Sequence, residues 1–412
     1  MKYLTNRQIT DLYKVSFDAV RKWINAAREG KNELQIALTE PDKWQIADTS
    51  KNHEIMKGMV ARGKTRKNRL ALKMTDPKPE FYELYSPAQQ LDIISSIETY
   101  REIPLQYGYF DGGAEYWDKY ANRLLNEQSA NMLNKTVELI ASNLANLDRL
   151  IGNHKRVNVI DLGVGNGLPV KGLLDHLLKR GVLNRYVGID LSHNMLEIAK
   201  QNIDRWFDGK VSVETYARDM TTERFKDLLV ADYDTDTDKP LNIVTLLGAT
   251  LLNLRDPEDM LRLVRASMMP DDVLVYTTKL DTANARRYFD FNTGEDAAML
   301  ADDHRMVIEL LGIDPSMYEP EQFYDAALRS RLIRIRLKLD VTVRFKRAGG
   351  EWRVELNRND TITLWRAWHL TARETVDQFD QSGLRLLDAS VTPDDEYLIT
   401  ISRPSIIKPN RG

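Results

Sequence analysis

The phrase Asp161-Leu-Gly-Val-Gly-Asn-Gly167 constrains the fold of this chain more than any other part of the sequence. It overlaps the end of an apolar segment, 157–162, and is soon followed by Pro169, a residue that suits the first turn of a helix. Gly163, Gly165 and Gly167 let the backbone turn tightly and approach a ligand closely. The sequence therefore predicts a buried strand, a ligand-binding turn and a helix, in that order.

Short apolar strands alternate with amphipathic helices from residue 157 onward, as in parallel α/β sheets. We predict strands at 157–162, 186–190, 211–216, 242–247 and 273–278, and helices at 169–180, 194–206 and 257–268. Residues 284–330 are predicted to be helical, and 332–345, 352–356 and 361–369 to be successive antiparallel strands. A helix at 371–382 and a closing antiparallel hairpin at 385–392 and 396–402 follow. The predicted fold class is α/β, a Rossmann-like seven-stranded sheet with an inserted α+β lobe.

Acidic residues follow three successive predicted strands, at the edge where open α/β sheets bind ligands. Asp161 is placed to accept a hydrogen bond from an amino group, and Asp190 to accept from both hydroxyls of a ribose. Asp219 is placed to accept from an adenine amino group, with Met220 packed on the ring. Because position 168 is Leu, the dinucleotide pattern Gly-x-Gly-x-x-Gly is incomplete. The series indicates S-adenosylmethionine (SAM), with S-adenosylhomocysteine as product; a nucleotide-type domain for another ligand is the alternative.

The composition excludes several kinds of chemistry. The chain has no cysteine, which excludes disulfides and a cysteine nucleophile, and its six scattered histidines argue against a zinc site. It has no run of about 18 apolar residues, and its first residues lack the apolar segment of a signal peptide. We therefore expect a cytoplasmic protein with no bound metal and no membrane segment.

The N-terminal region differs from the rest of the chain in charge and pattern. Residues 1–73 hold sixteen Lys and Arg against eight Asp and Glu, so they carry about +8, and the remainder about −11 of the total of −3. Thr5 and Ser16 are predicted to cap two short helices, the second with Val20, Trp23 and Ile24 on one face. This phrase resembles the helix-turn-helix of MerR-like regulators, which would present to a DNA groove Phe17, Asp18, Arg21 and Lys22. The alternative is a small helical module that contacts protein or only covers surface.

The fourth predicted strand leads into Leu247-Gly-Ala-Thr-Leu-Leu-Asn253. Here the chain resembles the histidine-specific Nα-methyltransferases of ergothioneine biosynthesis, whose fourth strand carries a Leu-Gly-Ser-Thr-x-Gly-Asn phrase. The resemblance extends over about 100–402. It implies that Gly248 and Thr250 line the cofactor and that Asn253 bonds an acceptor amine or carboxylate. It also implies that Tyr109 and Tyr116, from an aromatic loop at 107–117, close over the site. A cap or turn role is the alternative for Asn253, and ordinary packing for the tyrosines.

Two departures from that family concern the acceptor. A Glu and a Ser on a late strand grip the imidazole in the family, but Trp365 and Ala367 stand at those positions here. The region near 299–309 offers Asp302 and Asp303 where the family tends to have Asn. We therefore expect an acceptor other than histidine. Its amine must be neutral when it attacks, and Tyr109 or Asp302 is a candidate base.

These observations divide the chain and define three hypotheses. We expect a basic helix-turn-helix-like module at 1–75 with a linker near 68–80, a helical cap beside the substrate entrance at 76–150, a SAM-binding domain at 151–282 and 371–405, and a substrate-binding lobe at 283–370. The first hypothesis is methylation of a small amine or amino-acid-like acceptor. The second is methylation of nucleic acid or protein guided by 1–75, although no Asn/Asp-Pro-Pro-Tyr/Phe phrase of DNA amino-methyltransferases follows the fourth strand. The third is a SAM-sensing DNA-binding regulator, which the acidic body disfavours.

Overall fold

The computed structural model of the protein describes residues 2–40, 43–110, 112–127, 131–233, 239–287, 300, 302–347 and 350–405. The chain forms two compact units. Unit 1 consists of Met1–Met74 with Leu339–Thr342. Unit 2 consists of Thr75–Lys338 with Val343–Gly412 and contains the predicted sheet. None of the described helices is long and apolar enough to cross a membrane.

The described residues form the following regular elements. The helices are α1 (Asn6–Tyr13), α2 (Phe17–Arg28), α3 (Ser50–Ala71), α4 (Pro79–Leu84), α5 (Pro87–Tyr100), α6 (Gly113–Asn126), α7 (Met132–Ile151), α8 (Lys171–Lys179), α9 (His193–Phe207), α10 (Lys226–Val230), α11 (Pro257–Ser267), α12 (Ala283–Arg287), α13 (Asp302–Leu310) and α14 (Ala372–Gln381). The strands are β1 (Tyr3–Leu4), β2 (Ile36–Glu40), β3 (Lys43–Ala47), β4 (Leu72–Thr75), β5 (Val157–Leu162), β6 (Leu183–Asp190), β7 (Val213–Ala217), β8 (Leu241–Leu246), β9 (Val273–Lys279), β10 (Tyr318–Asp325), β11 (Ser330–Leu337), β12 (Asp340–Arg347), β13 (Gly350–Leu356), β14 (Thr361–Trp368), β15 (Leu384–Val391) and β16 (Tyr397–Pro404). Short 3-10 helices lie at Leu105–Tyr109, Leu251–Asn253 and Pro315–Met317.

Unit 1 contains the two helices that the N-terminal phrase predicts. The Thr5 side chain accepts a hydrogen bond from the backbone of Gln8 at the start of α1, and Ser16 accepts from Ala19 at the start of α2. Each cap satisfies an amide that the first helical turn leaves without a partner. Val20 and Ile24 are buried in a small apolar core of this unit, as the one-sided pattern of α2 predicts.

Unit 1 is not the purely helical module that we expected. Strands β1, β3 and β2 form an antiparallel sheet in that order, with Tyr3 opposite Ala47 and Ile36 opposite Ile46. The pattern that sequence reasoning missed is the alternation of Trp44 and Ile46, which both pack against the core of the unit. The expected linker at 68–80 also has regular structure, because it spans the end of α3, β4 and the start of α4.

The central feature of unit 2 is a seven-stranded sheet with the order β15-β16-β9-β8-β5-β6-β7. Strands β9, β8, β5, β6 and β7 run parallel, whereas β16 runs antiparallel to both β9 and β15. The predicted Rossmann-like sheet and its antiparallel closing hairpin are therefore confirmed. Every residue of β5 is buried, since a central parallel strand is covered on both faces.

Two apolar cores cover the two faces of this sheet. The first contains Leu139 of α7 and Leu173 of α8, packed with Val159 and Ile243 of the sheet. The second contains helix residues of α11 and α14, such as Phe379, packed on the other side of the same strands. This double cover leaves the carboxyl edge of the parallel strands as the place for a ligand site.

The inserted region differs from prediction at two places. Residues 318–325, predicted to be helical, form β10, which pairs along its whole length with β11. Pro320 has no amide hydrogen and disfavours the interior of a helix, whereas the pairing with β11 accommodates it at a strand edge. The predicted strand 332–345 is two strands, because the chain bends at Lys338 and Leu339. Strand β11 pairs antiparallel with β14 rather than with the strand that follows it in sequence, and β12 neighbours β13 in another sheet, so the predicted strands do not pair in simple succession.

Candidate functional site

The glycine turn, residues 163–167, joins β5 to the helical segment that leads into α8. Gly163, Gly165 and Gly167 have φ angles of 69°, 52° and 79°, which residues with a Cβ rarely adopt. A Cβ on Gly163 would lie 2.8 Å from Oγ1 and 2.9 Å from Cγ2 of Thr250, which is closer than van der Waals contact. Gly163 is therefore required both by its conformation and by the close approach of the turn that follows β8.

Asn166 ties the glycine turn to helix α6. Its amide nitrogen donates to Asp118 over 2.8 Å, and its side-chain oxygen accepts from the backbone of Leu168 over 3.2 Å. A Cβ on Gly165 would lie 3.3 Å from the indole nitrogen of Trp117, one residue before Asp118. Helix α6 is thus held directly against the turn and forms one wall of the site.

Asp161 lies buried at the end of β5, where it accepts two hydrogen bonds. Thr245 donates to it over 2.6 Å, and the hydroxyl of Tyr186 donates over 3.0 Å. Burial raises the pKa of Asp161 to about 6, and these two hydrogen bonds oppose that rise. A cationic donor beside this carboxyl group would favour its ionised form.

Asp190 is the last residue of β6, and Asp219 follows β7 at the same edge of the sheet. Burial raises the pKa of Asp190 to about 6, and its carboxyl group accepts from the backbone of Ser192 over 3.0 Å. Asp219 accepts from the backbone of Thr221 over 2.9 Å and from its hydroxyl over 2.5 Å. Two acids at neighbouring strand ends, one of them with a raised pKa, are typical of a binding site for a polar ligand.

A cavity at this edge brings together most of the residues predicted for the site. The predicted residues that line it are Tyr109, Gly163, Gly165, Asp190, Asp219, Met220, Thr250 and Asn253. A smaller cavity, which shares Gly163, Gly165 and Trp117 with the first, reaches Asp161. We call the two together the cofactor cavity. Apart from Tyr109, which comes from the segment before α6, these residues lie in the glycine turn or near the ends of the strands, so the order of the strands brings them together.

Other predicted residues lie outside the lining of the cofactor cavity. Gly167 faces helix α9, since a Cβ there would meet Ile203 and Trp206. Gly248 donates its backbone N–H to Thr277 over 2.9 Å, and Tyr116 is 39% exposed and stacks on Tyr120. The side chain of Asp302 lies outside the described residues.

Trp117 is the main site residue that sequence reasoning missed. It lines both parts of the cofactor cavity and meets the ring of Tyr109 edge-on, with ring centroids 6.3 Å apart. The phase of α6 was the available signal, because Gly113, Ala114 and Ala121 are buried and Trp117 shares their face. Tyr116 lies away from that buried face of α6, so its side chain is exposed to solvent.

The remaining walls come from the segment before α6 and from the turn after β8. Leu105 and Gln106 line the cofactor cavity, and the carbonyl of Tyr109 accepts from the hydroxyl of Ser192 over 3.1 Å. On the other wall, the indole nitrogen of Trp368 donates to the carbonyl of Leu254 over 2.7 Å, beside Asn253. The inserted region therefore contacts the wall that carries Asn253.

The Asn253 side chain has one unusual property. Its Oδ1 atom is buried and accepts no hydrogen bond within the described part of the chain. A buried acceptor without a donor costs about 1–3 kcal/mol. This cost is offset when a ligand in the cavity donates an N–H or O–H to that oxygen.

The residues of the cofactor cavity fit SAM. The close-fitting glycine turn leaves no room for a Cβ at Gly163, and the carboxyl groups of Asp161 and Asp190 suit an ammonium group and ribose hydroxyls. Apolar contact for an adenine ring is available from Met220, Leu191 and Leu254. The residues along the edge of the sheet thus offer, in the order of the strands, an acceptor for a cationic group, an acceptor for hydroxyls and an apolar surface for a ring.

Comparison with solved structures finds similar chains among methyltransferases. One is a SAM-dependent methyltransferase from Clostridium acetobutylicum, with 12% identity and a TM-score of 0.40 over 71% of this chain and 98% of that chain. Another is the 1,6-didemethyltoxoflavin-N1-methyltransferase of Burkholderia thailandensis, with 12% identity and a TM-score of 0.35 over 78% and 92%. A third is the magnesium protoporphyrin IX methyltransferase of Synechocystis, with 10% identity and a TM-score of 0.38 over 77% and 100%.

Sequence comparison gives the family. No curated protein sequence matches the chain significantly. A family model described as histidine-specific, SAM-dependent methyltransferase matches residues 89–404, which is most of the chain and includes the whole cofactor cavity. The protein therefore belongs to the histidine-specific, SAM-dependent methyltransferase family, and it is a methyltransferase whose cofactor is SAM.

Proposed function

We propose that the protein methylates the nitrogen of a small amine or amino-acid-like acceptor other than histidine. The observation that carries the proposal is the buried Oδ1 of Asn253, which lines the cofactor cavity and accepts no hydrogen bond from a described residue. An acceptor N–H donated to this oxygen would orient the nitrogen lone pair. SAM supplies an electrophilic methyl group, and transfer in line needs positioning and exclusion of water rather than a covalent intermediate.

The cofactor roles follow the order of the strands in this proposal. Asp161 accepts from the amino group of SAM, Asp190 from its ribose hydroxyls and Asp219 from the adenine amino group, with Met220 against the ring. Gly163, Gly165 and Thr250 form the surface under the cofactor. Gly167 and Gly248 act through the geometry of their turns, and closure by Tyr116 stays a prediction.

An acceptor other than histidine is supported by the surroundings of Trp365 and Ala367. The guanidinium of Arg331 lies 5.3 Å from the centroid of the Trp365 ring, and Arg331 pairs with Ala367 across the β11–β14 ladder. The resemblance implies a carboxylate and a hydroxyl at these two positions in enzymes that hold an imidazole. A half-buried cation and an indole do not provide those acceptors. A role for Tyr109 or Asp302 as general base stays a prediction.

The domain assignment is part of the same proposal. The cap at 76–150 would supply the wall formed by α6 and by Leu105–Tyr109, and the lobe at 283–370 would supply β11 and β14. Both contain residues at the walls of the cofactor cavity: Trp117 lines it, and Trp368 donates to the carbonyl of Leu254, which also lines it. Each segment would then act in acceptor binding rather than in forming the sheet.

The first experiment is calorimetric titration with SAM and S-adenosylhomocysteine, followed by a screen of amines for methyl transfer. In that assay Asn253→Ala should leave SAM affinity unchanged and lower turnover by about tenfold, the effect of about 1.4 kcal/mol in the transition state. Loss of SAM affinity in this variant would assign Asn253 to the cofactor instead. Full activity would leave Asn253 only a structural role in the turn, where its backbone N–H donates to the carbonyl of Ala249.

A second candidate function is contact with nucleic acid, and one observation in unit 1 favours it. Phe17, Asp18, Arg21 and Lys22, the residues that the resemblance places toward a groove, are exposed on α2, and Phe17 is 54% exposed. No acidic side chain in the described ranges lies within ion-pair distance of Arg21 or Lys22, whereas Lys31 nearby pairs with Glu29 over 2.6 Å. Cations beside an exposed ring suit phosphates and base edges in a DNA groove.

Salt dependence tests this second function. Binding of a fluorescent DNA duplex should weaken with salt, and Arg21→Ala combined with Lys22→Ala should reduce the slope of log K against log salt by about 2. The matched control is Lys31→Ala, because that cation already has an acidic partner. Absence of duplex binding at low salt, or equal slopes in both variants, would reject nucleic-acid contact through α2. The same duplex also serves as a macromolecular acceptor in the methyl-transfer screen.

A further inference from the structure

Unit 2 contains a second cavity beside the cofactor cavity. Its volume is about 250 Å³, more than the roughly 150 Å³ that accommodates benzene in an engineered apolar core. Its walls come from the turn after β8, the start of α11, β9, the end of β14 and α14. None of the described residues that line it also lines the cofactor cavity. We call it the back cavity.

A single turn of the chain separates the two cavities. Thr250, Asn253 and Leu254 line the cofactor cavity. Leu251 and Leu252, which lie between them in the sequence, line the back cavity. A displacement of one side of this turn is therefore also a displacement of the other side.

The lining of the back cavity has a large apolar part. Leu251 and Leu252 are buried, and Leu370 is half-buried. Tyr276 and Trp368 add two aromatic residues to the lining. Such a surface favours an apolar occupant, because the hydrophobic effect grows with the apolar area removed from water.

The polar side chains of the lining have their hydrogen bonds within the protein. The hydroxyls of Tyr276 and Thr278 share a hydrogen bond. The hydroxyl of Thr375 donates to a backbone carbonyl one helical turn earlier over 3.0 Å. The side-chain amide of Gln378 donates to the carboxylate of Glu258 over 2.9 Å. Strong hydrogen-bonding groups on an occupant would therefore gain little.

The cation of the lining, Arg255, is also engaged. It donates to the carboxylate of Asp256 over 3.1 Å, and its guanidinium lies 3.7 Å from the centroid of the Tyr100 ring. A charge on an occupant would have to leave water without gaining a new partner, which costs free energy. The back cavity thus suits an uncharged occupant.

Trp368 connects the back cavity to the wall of the cofactor cavity. It lines the back cavity, and its indole N–H donates to the carbonyl of Leu254 over 2.7 Å. An apolar molecule in the back cavity adds dispersion contacts to Leu251, Leu252 and Trp368. These contacts restrict the turn, and a turn that is already ordered loses less conformational entropy when SAM binds on its other side.

We propose that the back cavity binds an uncharged apolar molecule about the size of one substituted aromatic ring, and that its occupancy strengthens SAM binding. This inference goes beyond the proposed methyl acceptor, because the effect is on the cofactor and needs no acceptor. Linkage is reciprocal, so SAM should strengthen binding of the apolar molecule by the same factor. Couplings of this kind are about fivefold or more.

Toluene is the probe that tests the site. It is titrated by calorimetry into protein saturated with S-adenosylhomocysteine, which blocks the cofactor cavity, and we expect a dissociation constant of about 0.1–1 mM. Benzoate and benzyltrimethylammonium carry a charge on a similar ring and have no nitrogen that can accept a methyl group. They should bind about tenfold more weakly than toluene or not at all. SAM affinity should rise about fivefold or more in saturating toluene.

Variants at Leu370 locate the site, because this side chain is half-buried and can be replaced with little effect on the core. Leu370→Phe should weaken toluene binding by about tenfold or more because it fills the cavity. Leu370→Ala enlarges the cavity and should bind naphthalene more tightly than the wild type does. Misfolding does not produce opposite changes at one position. Leu263→Phe is the matched control, since Leu263 is a half-buried leucine that packs on the adjoining core and lies outside the lining.

Trp368→Phe tests the connection between the cavities. It keeps an aromatic ring in the lining, so toluene affinity should stay within about threefold, but it removes the N–H donated to Leu254 and should reduce the effect of toluene on SAM affinity. Undetectable toluene binding, competition between toluene and SAM, or wild-type toluene affinity in Leu370→Phe would overturn the site. Toluene binding that leaves SAM affinity unchanged would overturn the coupling. The amine acceptor is tested separately by the methyl-transfer screen, so its failure would leave this proposal standing.

Discussion

Replacement of Gly163 by Ala tests the reasoning about the glycine turn most directly. The new Cβ would lie 2.8 Å from Oγ1 and 2.9 Å from Cγ2 of Thr250, at a residue whose φ is 69°. The left-handed conformation costs about 1–2 kcal/mol for a residue with a Cβ. Overpacking against Thr250 adds about 1–3 kcal/mol. Gly163→Ala should therefore destabilise unit 2 by about 2–5 kcal/mol, the sum of these two costs.

Two further variants separate these costs. Gly209 has a φ of 68°, and a Cβ there would meet open space, so Gly209→Ala should lose only the conformational part, about 1–2 kcal/mol. Thr250→Ala removes both atoms that the new Cβ approaches. The double variant Gly163→Ala with Thr250→Ala should therefore recover the overpacking part, about 1–3 kcal/mol, as a coupling free energy.

The assay is chemical denaturation of the wild type and the four variants, with calorimetric titration of SAM on each folded protein. Because Thr250 lines the cofactor cavity, its displacement in Gly163→Ala should also weaken SAM binding, by about tenfold for each 1.4 kcal/mol. Equal losses of stability in Gly163→Ala and Gly209→Ala would refute the role of the close approach. So would a double variant whose losses are simply the sum of the single ones.

Other predictions concern the acids and the wall beyond them. Asp190→Ala should weaken SAM binding by about tenfold or more without lowering the thermal midpoint, and an unchanged affinity by calorimetry would remove the ribose assignment. SAM affinity should fall as the pH is lowered through about 6, because burial raises the pKa of Asp161 and Asp190 to about 6 and only the ionised carboxylates accept from the cofactor. Since the pKa values of both groups are raised in the folded protein, these groups stabilise the cofactor-free protein at low pH, and that contribution is lost as the pH rises from about 4 to about 6. A SAM affinity that does not change as the pH is lowered through about 6 would contradict the assignment. An Asp161→Asn variant with the wild-type pH profile of SAM affinity would also contradict it. Trp368→Phe keeps an aromatic ring but removes the N–H donated to Leu254, a hydrogen bond worth about 0.5–1.5 kcal/mol. It should lower kcat for the acceptor several-fold with SAM affinity retained, and an unchanged kcat would show that this contact does not position Asn253.

Much of the cofactor site could be predicted from the sequence because its determinants are local. Gly163, Gly165 and Gly167 indicate a turn because they have no Cβ, and the three acids Asp161, Asp190 and Asp219 each lie at or after the end of an apolar strand. Parallel strands bring their carboxyl ends to one edge, so the order of strands alone places these acids near each other. The caps at Thr5 and Ser16 were predictable for the same reason, since they act within one helical turn.

The errors arose where the decisive partner is distant in sequence. Strand β10 was predicted as helix because its pairing with β11 does not show in its own residues. Strands β2 and β3 were missed although Trp44 and Ile46 alternate, since five residues carry little periodicity. The sequence analysis names Tyr116 and not Trp117, because which of the two faces the cavity depends on the orientation of α6 about its axis as it packs on the turn.

The sheet, the glycine turn and the acids beside it could be inferred from the sequence alone, because hydrophobic period, backbone freedom and strand order are properties of short segments. What surrounds them depends on contacts between segments that are distant in sequence. The approach of Thr250 to Gly163 and the bond from Trp368 to Leu254 each join residues more than 50 positions apart. Such contacts depend on how the elements pack on one another, which the residues of a single segment do not reveal.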